Sequence, residues 1–492
     1  MIKLRPLMFV GTGSDVGKSI VNTGFCRILK QDGYQPVPFK AQNMSLNSFA
    51  TPEGFEIGRA QAVQAEACGL PCHTDMNPVL LKPTNDKSSQ VVLNGKPIGT
   101  QTAVEYFMGN NKLALFDEAK AAFHRLNKKY NPVVLEGAGS ISELNLKSRD
   151  ITNMRMAVEA NAATYLIADI DKGGVFASVY GSIQLLDEEE RKQIKGIIIN
   201  KFRGDIKLFE DGKKIIEELT GKPVIGVLPY FKDIHIEEED SVSLDKKFRT
   251  SSKEKINCAV VILPRMANFT DFNVLEHDPR VHLFYTNNPL EIETADVIII
   301  PGSKNTISDL QELKQNGVAV SIVKAHKNGK KVIGICGGFQ MMGEIISDPL
   351  QIEGNIPSIA GLGILPVKTN ITNEKLTEQC SFKFKDSKQD CIGYEIHMGE
   401  TVAVGNNIPL CTFPNGKTDG YFLNQNCWGS YIHGILDNKI VTQDLLSGFN
   451  LEQESDFNYQ EFKEEQYDKL AGLIRENIDM DLFYSHLKEE EE

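Results

Sequence analysis

Short apolar runs that alternate with longer amphipathic stretches organise almost the whole of this sequence. The first half contains LMFVG, PVVLEGA, ATYLIADI, KGIIIN and PVIGVLP, and a second series contains CAVVILP, DVIIIPGS, KVIGIC, GLGILPV, GYEIHMG and WGSYIHG. This alternation is typical of parallel sheets that are covered by helices. The sequence therefore predicts an α/β fold with two doubly wound parallel-sheet domains.

A polar, charged stretch separates the two series of runs. It reads IEEEDSVSLDKKFRTSSKEKIN and has little apolar periodicity, as expected of a linker. We predict a first domain at residues 1–235, a linker at 236–255, a second domain at 256–445 and a helical, acidic tail at 446–492. In that tail Leu470, Leu473, Ile474 and Ile478 recur at helical spacing, which indicates a packing helix.

One cysteine follows an apolar run inside a Gly-x-Cys-x-Gly frame. Cys336 lies between Gly334 and Gly338, the pattern of a strand-to-helix turn that lifts a nucleophile out of a sheet. We predict that Cys336 faces a cleft, that the helix beginning near Gly338 favours its thiolate, and that the amide of Gly337 donates to an oxyanion. The alternative is a buried structural cysteine.

The amino terminus carries a second chemical signal, a strand followed by a glycine-rich loop and a helix. In LMFVGTGSDVGKSIVNTGF, five residues separate Gly11 from Gly17, where the usual phosphate loop has four. Amides around Gly13 and Gly17 can surround the phosphates of ATP, and Lys18 can reach them with its charge. We predict that the Ser19 hydroxyl binds Mg²⁺.

A magnesium ion also needs an acidic ligand, and PVVLEGAGS places Glu136 at the end of an apolar run. We predict that Glu136 is that ligand. The alternative is a glutamate that meets solvent at the end of a strand.

The loop spacing resembles dethiobiotin synthetase and its amidoligase relatives. In those relatives the position of Asn200, at the end of KGIIIN, reads the adenine base. A turn-forming asparagine after a strand is the alternative.

The second series of runs resembles a class I glutamine amidotransferase. His433, in WGSYIHGILDN, would be the base for Cys336, which attacks the glutamine amide and releases ammonia through a thioester. Gly302 stands where that family supplies a second oxyanion amide. The family usually has a glutamate two residues after the histidine, but this chain has Ile435, so we expect a Cys336–His433 dyad. Whether Asp437, Glu395 or a backbone carbonyl orients His433 stays open.

The order of the two halves resembles the cobyric acid synthase family over nearly the whole chain. The signatures are KAQNMSLNS, DIDKGGVFAS, NKFRGD, LPRMANFTDFNVL and PGSKNT, with Lys172 where arginine is expected. The resemblance implies that ATP and L-glutamine, with Mg²⁺, drive amidation of the b, d, e and g carboxylates of a corrinoid, adenosylcobyrinic acid a,c-diamide. Candidate corrinoid contacts are Lys40, Gln42, Asn43, Asn47, Arg149 and Asp150. The alternative is that these polar residues only end strands or cap helices, which gives the same sequence pattern.

Three alternatives remain. The first is another glutamine-dependent amidoligase, such as cobyrinic acid a,c-diamide synthase. The second is an ATP-driven switch of the partition type, which needs a lysine early in the loop where Gly11, Thr12 and Gly13 stand. The third is a pseudoenzyme that only binds, against which the pair of Cys336 and His433 argues.

Composition excludes some classes of partner. The net charge is −13 and the pI is near 5.4, which gives no indication of a nucleic-acid surface. No run approaches the roughly 18 apolar residues of a membrane span, and no signal peptide is apparent, so we expect a cytoplasmic protein. The nine scattered cysteines indicate reduced thiols, and Cys68, Cys72 and His73 lack the second ligand pair of a zinc site.

Overall fold

The structure, a computed structural model, divides into two units. It describes residues 2–85, 88–102, 105–106, 111–237, 248–252, 254–449 and 457–488. Unit 1 comprises Met1–Ser45, Ile57–Glu237 and Lys463–Glu492, and unit 2 comprises Leu46–Glu56 and Glu238–Phe462. Most of the predicted linker, at 238–247 and 253, and the acidic end at 489–492 lie outside the described residues.

Unit 1 is built on a six-stranded parallel sheet. Its strands are β1 Leu7–Gly11, β2 Val37–Phe39, β3 Val133–Glu136, β4 Ala163–Asp169, β5 Ile194–Phe202 and β6 Val224–Pro229. They lie in the order β6-β5-β4-β1-β3-β2, and all neighbours are parallel. Every residue of β1 and β4 is buried, because parallel sheets are covered on both faces.

The other elements of unit 1 cover this sheet or extend it. A smaller four-stranded sheet comprises Gln42–Met44, Val79–Asn85, Ser88–Leu93 and Lys96–Thr102. The α-helices are Lys18–Gln31, Arg59–Cys68, Asn111–Lys129, Met154–Glu159, Val175–Gln184, Glu188–Gln193, Glu210–Thr220 and Met480–Leu487, and Tyr459–Asn477 has most of its length in this unit. Short 3₁₀ turns occur at Thr74–Met76, Lys147–Arg149 and Ile206–Phe209.

The carboxyl-terminal helices complete the core of unit 1. Leu470, Ile474 and Ile478 are buried in the same cluster as Phe25, and Leu473 packs against it partly buried. A Cβ on Gly24 would lie 2.2 Å from Cδ1 of Ile474, so the first helix and the last long helix meet closely. The segment that the sequence places in a separate tail is therefore part of the first unit from Lys463 onward.

Unit 2 has a six-stranded sheet of its own. Its strands are β7 Ile256–Val261, β8 Val281–Thr286, β9 Val297–Ile300, β10 Lys331–Ile335, β11 Tyr421–Asn424 and β12 Cys427–Ser430. They lie in the order β8-β7-β9-β10-β12-β11, parallel except for the antiparallel edge strand β11. The predicted fold class, two parallel-sheet α/β domains, is confirmed.

A second sheet and several short helices flank that sheet. The second sheet is formed by Ser358–Ala360, Ile345–Ser347, Val367–Phe384, Asp390–Ala403, Cys411–Thr412 and Thr418–Asp419. The remaining strands of unit 2 are Met266–Ala267, Gly302–Ser303 and Ser48–Ala50, and the strand Glu56–Gly58 has its first residue in unit 2 and the other two in unit 1. The helices are Asn273–His277, Pro289–Thr294, Thr306–Gln315, Val318–Lys327, Gly337–Met342 and Lys439–Leu445, with 3₁₀ turns at Phe269–Phe272 and Ile435–Asp437.

Two strand predictions in unit 2 are wrong in detail. GLGILPV is irregular until Val367, because Gly363 has a positive φ of 66° and Pro366 lacks the N–H that a ladder needs. In WGSYIHG the strand β12 ends at Ser430, and His433 forms only an isolated bridge with Tyr394. Within the described residues no helix is both long and apolar enough to span a membrane.

Candidate active sites

The nucleophile turn has the conformation that its sequence predicts. Cys336 follows β10 directly and precedes the helix Gly337–Met342, with φ of 52° and ψ of −111°. A non-glycine residue adopts this region only under strain, as at the nucleophile elbow of hydrolases. A Cβ on Gly338 would lie 1.9 Å from the carbonyl oxygen of Ile300, so only glycine fits there.

Cys336 is held between two strands of unit 2. Its amide donates to the carbonyl of Ser430 at 2.8 Å, and its Sγ lies 3.7 Å from the carbonyl oxygen of Ile396. The side chain is largely buried, with 8% of the residue exposed. Burial alone would fit the structural alternative, so the groups beside the sulfur decide what Cys336 can do.

The two predicted oxyanion glycines lie beside this cysteine. A Cβ placed on Gly302 would be 3.3 Å from Cε1 of His433 and 3.7 Å from Cβ of Cys336. Gly337 is the residue after the nucleophile, and its Cβ position is 2.8 Å from the amide nitrogen of Ser303. The structure thus brings Gly302, Gly337, Cys336 and His433 together, while their roles stay predictions.

An aspartate orients His433. Nδ1 of the ring lies 2.7 Å from Oδ2 of Asp271, and the amide of Gly434 donates to Oδ1 of the same carboxylate at 3.0 Å. Because an ionised carboxylate only accepts, Nδ1 carries the hydrogen and Nε2 is left for proton exchange. The group that orients His433 is therefore Asp271, and none of the three candidates Asp437, Glu395 and a backbone carbonyl. The Cys336–His433 dyad that the sequence predicts thus gains a third residue.

The charges in this cluster favour a protonated histidine. His433 and Asp271 are 2% and 5% exposed. Burial by itself lowers the pKa of His433, but the charge of Asp271 and interactions with the Cys336 side chain outweigh it and raise the pKa from 6.5 to about 10. A positive imidazole beside a cysteine sulfur is the arrangement of cysteine nucleophiles that react as thiolates.

The phosphate loop of unit 1 is closely packed on itself. Lys18 Nζ donates to the carbonyls of Gly13 and Gly139, each at 2.9 Å. A Cβ on Gly17, which has φ of 97°, would lie 2.2 Å from Nδ2 of Asn200. A Cβ on Gly11 would lie 2.9 Å from Nζ of Lys18. Close backbone approach at these glycines is what a loop that surrounds phosphates needs.

The predicted metal ligands meet at the end of β3. Ser19 Oγ donates to Oε1 of Glu136 at 2.8 Å, and Lys40 Nζ donates to the same oxygen at 2.9 Å. Gln64 Nε2 donates to Oε2 of Glu136 at 2.6 Å. Glu136 is only 1% exposed, so the alternative of a glutamate in solvent is wrong.

The residues around Glu136 fit a magnesium ion. Burial raises the pKa of Glu136, but the charge of Lys40 and the hydrogen bonds from Lys40, Ser19 and Gln64 outweigh it and hold the pKa below its usual value. The carboxylate is therefore negative, and a hydroxyl oxygen lies 2.8 Å from it. Mg²⁺ takes such hard oxygen ligands together with nucleotide phosphates. The binding of Mg²⁺ here stays a prediction.

Comparison with known proteins places both halves of the chain in one family. Residues 257–441 match the CobB/CobQ-like glutamine amidotransferase domain, and residues 7–244 match the CobQ/CobB/MinD/ParA nucleotide binding domain. A cobyric acid synthase of Parabacteroides distasonis is 64% identical over 99% of both chains. The chain belongs to the cobyric acid synthase family. The cobyric acid synthases of Bacteroides fragilis, at 59% identity over 98% of both chains, and of Syntrophobacter fumaroxidans, at 46% over 97% and 98%, agree with this assignment.

Family membership confirms the resemblance drawn from the signatures and the prediction of a glutamine amidotransferase-containing ligase. The nucleotide-binding domain is also confirmed, and it implies that ATP is used.

The side chain of Asn200 bonds to the phosphate loop and to its own neighbour. Nδ2 donates to the carbonyl of Val16 at 2.8 Å, and Oδ1 accepts from the amide of Lys201 at 2.9 Å. Its contact with adenine stays a prediction in this member of the cobyric acid synthase family.

The six candidate corrinoid contacts do not fall in one unit. Asn47 belongs to unit 2, and the others belong to unit 1: Lys40, Gln42, Asn43, Arg149 and Asp150. Asp150 accepts from the amide of Thr152 at 2.7 Å, so it acts as a turn cap, as the alternative interpretation has it. All six stay predicted corrinoid contacts in this cobyric acid synthase family member.

Sequence reasoning missed Asp271, which is 162 residues from His433. Asp271 lies within LPRMANFTDFNVL, which the sequence indicates only as a family signature. The position of this stretch after β7 could have indicated Asp271, because ligand-binding residues gather beyond the carboxyl ends of parallel strands. An acidic residue in such a loop is a candidate partner for a catalytic histidine.

Proposed function

We propose that this protein amidates the b, d, e and g carboxylates of adenosylcobyrinic acid a,c-diamide to give adenosylcobyric acid, in cobalamin biosynthesis. The observation that carries the proposal is identity of 64% over 99% of both chains with a cobyric acid synthase. Cobyrinic acid a,c-diamide synthase, the alternative, is not favoured by the relatives. A cytoplasmic location stays a prediction.

The amidotransferase half would supply ammonia. The Cys336 sulfur attacks the side-chain amide of L-glutamine, and the amides of Gly302 and Gly337 stabilise the oxyanion. His433 then protonates the leaving nitrogen, so ammonia departs and a thioester remains. His433, held by Asp271 through Nδ1, next deprotonates a water molecule that hydrolyses the thioester to glutamate. The contacts of Asp271 with Nδ1 and with Gly434 support this assignment.

The ligase half would activate the carboxylate of the corrinoid. A carboxylate is a poor electrophile, so the terminal phosphoryl group of ATP is transferred to it, and ammonia then displaces phosphate. Lys18 and the loop amides offset phosphate charge, and Lys40 adds a second buried positive charge beside Glu136. Mg²⁺, which Ser19 and Glu136 would hold, supplies further neutralisation of the phosphates when it is bound.

Mass spectrometry of the corrinoid tests this proposal. The full chain is incubated with adenosylcobyrinic acid a,c-diamide, Mg-ATP and either glutamine or an ammonium salt, in parallel with Cys336→Ala. We expect stepwise amidation of four carboxylates, abolished in Cys336→Ala with glutamine but retained with ammonia. Cys391→Ala is a matched control, because Cys391 is also buried and lies outside the nucleophile turn.

Two outcomes would contradict the assignment in different ways. An unchanged corrinoid with normal glutamine hydrolysis would refute the substrate but keep the amidotransferase. Amidation of cobyrinic acid at the a and c positions, in preference to the a,c-diamide, would establish the alternative amidoligase instead.

A further inference from the structure

A segment from the amino-terminal half of the chain is part of the amidotransferase unit. Residues Leu46–Glu56 belong to unit 2, whereas the chain on both sides, to Ser45 and from Ile57, belongs to unit 1. The segment lies inside residues 7–244, which match the nucleotide binding domain. Its first residues come from the signature KAQNMSLNS, so this signature contributes residues to both units.

The segment bonds to the turn that carries Asp271. Oδ1 of Asn47 accepts from the amide of Phe269 at 3.1 Å, and the amide of Ser48 donates to Oδ1 of Asn268 at 2.9 Å. Asn268 has φ of 53° and precedes the 3₁₀ turn Phe269–Phe272, and its carbonyl accepts from the amide of Asp271 at 3.1 Å. This reciprocal pair fixes the start of the turn whose carboxylate orients His433.

Burial makes these bonds hard to replace. Asn47 and Ser48 are each 1% exposed, and Asn268 is 3% exposed. Without Asn47, water has little access to the amide of Phe269, so the turn must shift to satisfy it. A shift of the turn moves the Asp271 carboxylate relative to the imidazole.

The same segment also packs behind the histidine. The ring of Phe49 lies 4.5 Å from the ring of Tyr394, which in turn stacks on the imidazole of His433 at 5.3 Å. The backbones of Tyr394 and His433 exchange two hydrogen bonds, of 3.1 and 2.8 Å. Ala50 packs with Tyr394 and Ile396, and the carbonyl of Ile396 faces the Cys336 sulfur at 3.7 Å.

We propose that Leu46–Glu56 is a positioning element of the glutaminase, with Asn47 acting through Asp271 and Phe49 acting through Tyr394. Neither side chain takes part in the chemistry. Asn47 keeps the carboxylate where it can select the His433 tautomer, and Phe49 keeps the imidazole ring in its plane. The proposal rests on the proposed role of Cys336 and His433 in glutamine hydrolysis.

The test compares glutamine-driven and ammonia-driven amidation in full-length variants. Asn47→Ala and Phe49→Leu are expected to lower the kcat of glutamine hydrolysis by at least about tenfold, since small displacements of catalytic groups have large effects on rate. In Phe49→Leu, amidation driven by an ammonium salt should stay within about twofold, because it needs no glutaminase. Asn47→Ala is compared in glutamine hydrolysis alone, because Asn47 is also a candidate corrinoid contact. Glu53→Gln is the matched control, because Glu53 lies in the same segment with its side chain exposed.

A double-mutant cycle separates positioning from general loss of structure. If Asn47 acts through Asp271, Asn47→Ala should add little to the loss already caused by Asp271→Asn. Additive losses would refute action through Asp271. Should Asn47→Ala fail to fold, Phe49→Leu, which removes no polar atom, still tests the segment by the comparison between glutamine and ammonia.

The possible results distinguish this proposal from the proposed function. If Cys336→Ala abolishes glutamine hydrolysis while Asn47→Ala and Phe49→Leu keep it within twofold of the unaltered chain, only the positioning role is refuted. If both ammonia-driven and glutamine-driven activity fall in parallel in Phe49→Leu, the positioning role is refuted as well. If Cys336→Ala keeps glutamine hydrolysis, the proposed function itself fails.

Discussion

The contact between Asp271 and His433 gives the sharpest prediction. The substitution Asp271→Asn keeps the size of the side chain but replaces one carboxylate oxygen by an amide group. The amide of Gly434 donates to Oδ1, which fixes an oxygen on that side. The NH₂ group of asparagine must then face Nδ1 of His433, so Nδ1 becomes an acceptor and the hydrogen moves to Nε2. In that tautomer the histidine cannot accept a proton at Nε2, where the mechanism needs it.

The expected loss is large because the pair is buried. The pKa of His433 lies at about 10, against an ordinary value of 6.5, and the charge of Asp271 is the largest cause that raises it. That rise corresponds to roughly 5 kcal/mol in favour of the charged ring. Losing most of this preference together with the correct tautomer should lower the kcat of glutamine hydrolysis on the order of a thousandfold, or about 4 kcal/mol.

Glutamate release measures this loss, and ammonia-driven amidation shows whether the rest of the enzyme is intact. Asp437→Asn is the control, because it makes the same chemical change four residues from His433, at a position that the sequence left as a candidate. We expect Asp437→Asn to stay within about threefold of the unaltered chain. If Asp271→Asn retains glutaminase within tenfold, or if both substitutions have equal effects, the assignment of Asp271 is wrong.

Three further predictions follow from single contacts. Glu136→Gln should lower ammonia-driven amidation at least about a hundredfold, because it removes the negative charge beside Ser19, while glutamate release persists. Gly338→Ala should destabilise unit 2 by about 3 kcal/mol in thermal or urea unfolding, because its Cβ would lie 1.9 Å from the carbonyl oxygen of Ile300, and unchanged unfolding would contradict this. Burial raises the pKa of Glu353 from 4.5 to about 7, so this group makes the free energy of unfolding fall as pH rises from about 4.5 to 7. Glu353→Gln should remove that dependence and add up to about 3 kcal/mol to the free energy of unfolding at pH 8. An unaltered pH profile of unfolding would refute this.

Features set by neighbouring residues could be predicted from the sequence. The turn at Cys336 depends on glycines within two residues, and the loop at 11–19 depends on a fixed spacing before a helix. Local backbone geometry determines both, so the residue pattern is enough. The pairing of Ser19 with Glu136 was predictable for a related reason, since carboxyl ends of parallel strands meet at one edge of a sheet.

Features that depend on tertiary contacts could not be predicted in this way. The orienter of His433 lies 162 residues before it, and the pattern of neighbours after the histidine indicated only that Ile435 replaces a glutamate. Ile435 is 1% exposed and lies within the apolar core, so a charged side chain would not fit at this position. The place of segment Leu46–Glu56 in unit 2 likewise leaves no periodic signal, because its strand Ser48–Ala50 is only three residues long.

One loop of unit 2 links the parts of the glutaminase that the sequence treats as separate. Met266 and Ala267 pair antiparallel with Ser303 and Gly302, so the strand before Asp271 also holds the proposed oxyanion glycine. The next residue, Asn268, accepts the hydrogen bond from segment Leu46–Glu56. Because Asp271 follows three residues later, a shift of this loop would move the oxyanion amide and the orienting carboxylate together. Taking the orienting acid from this loop, rather than from the position two residues after His433, therefore ties stabilisation of the oxyanion and proton transfer to the same backbone.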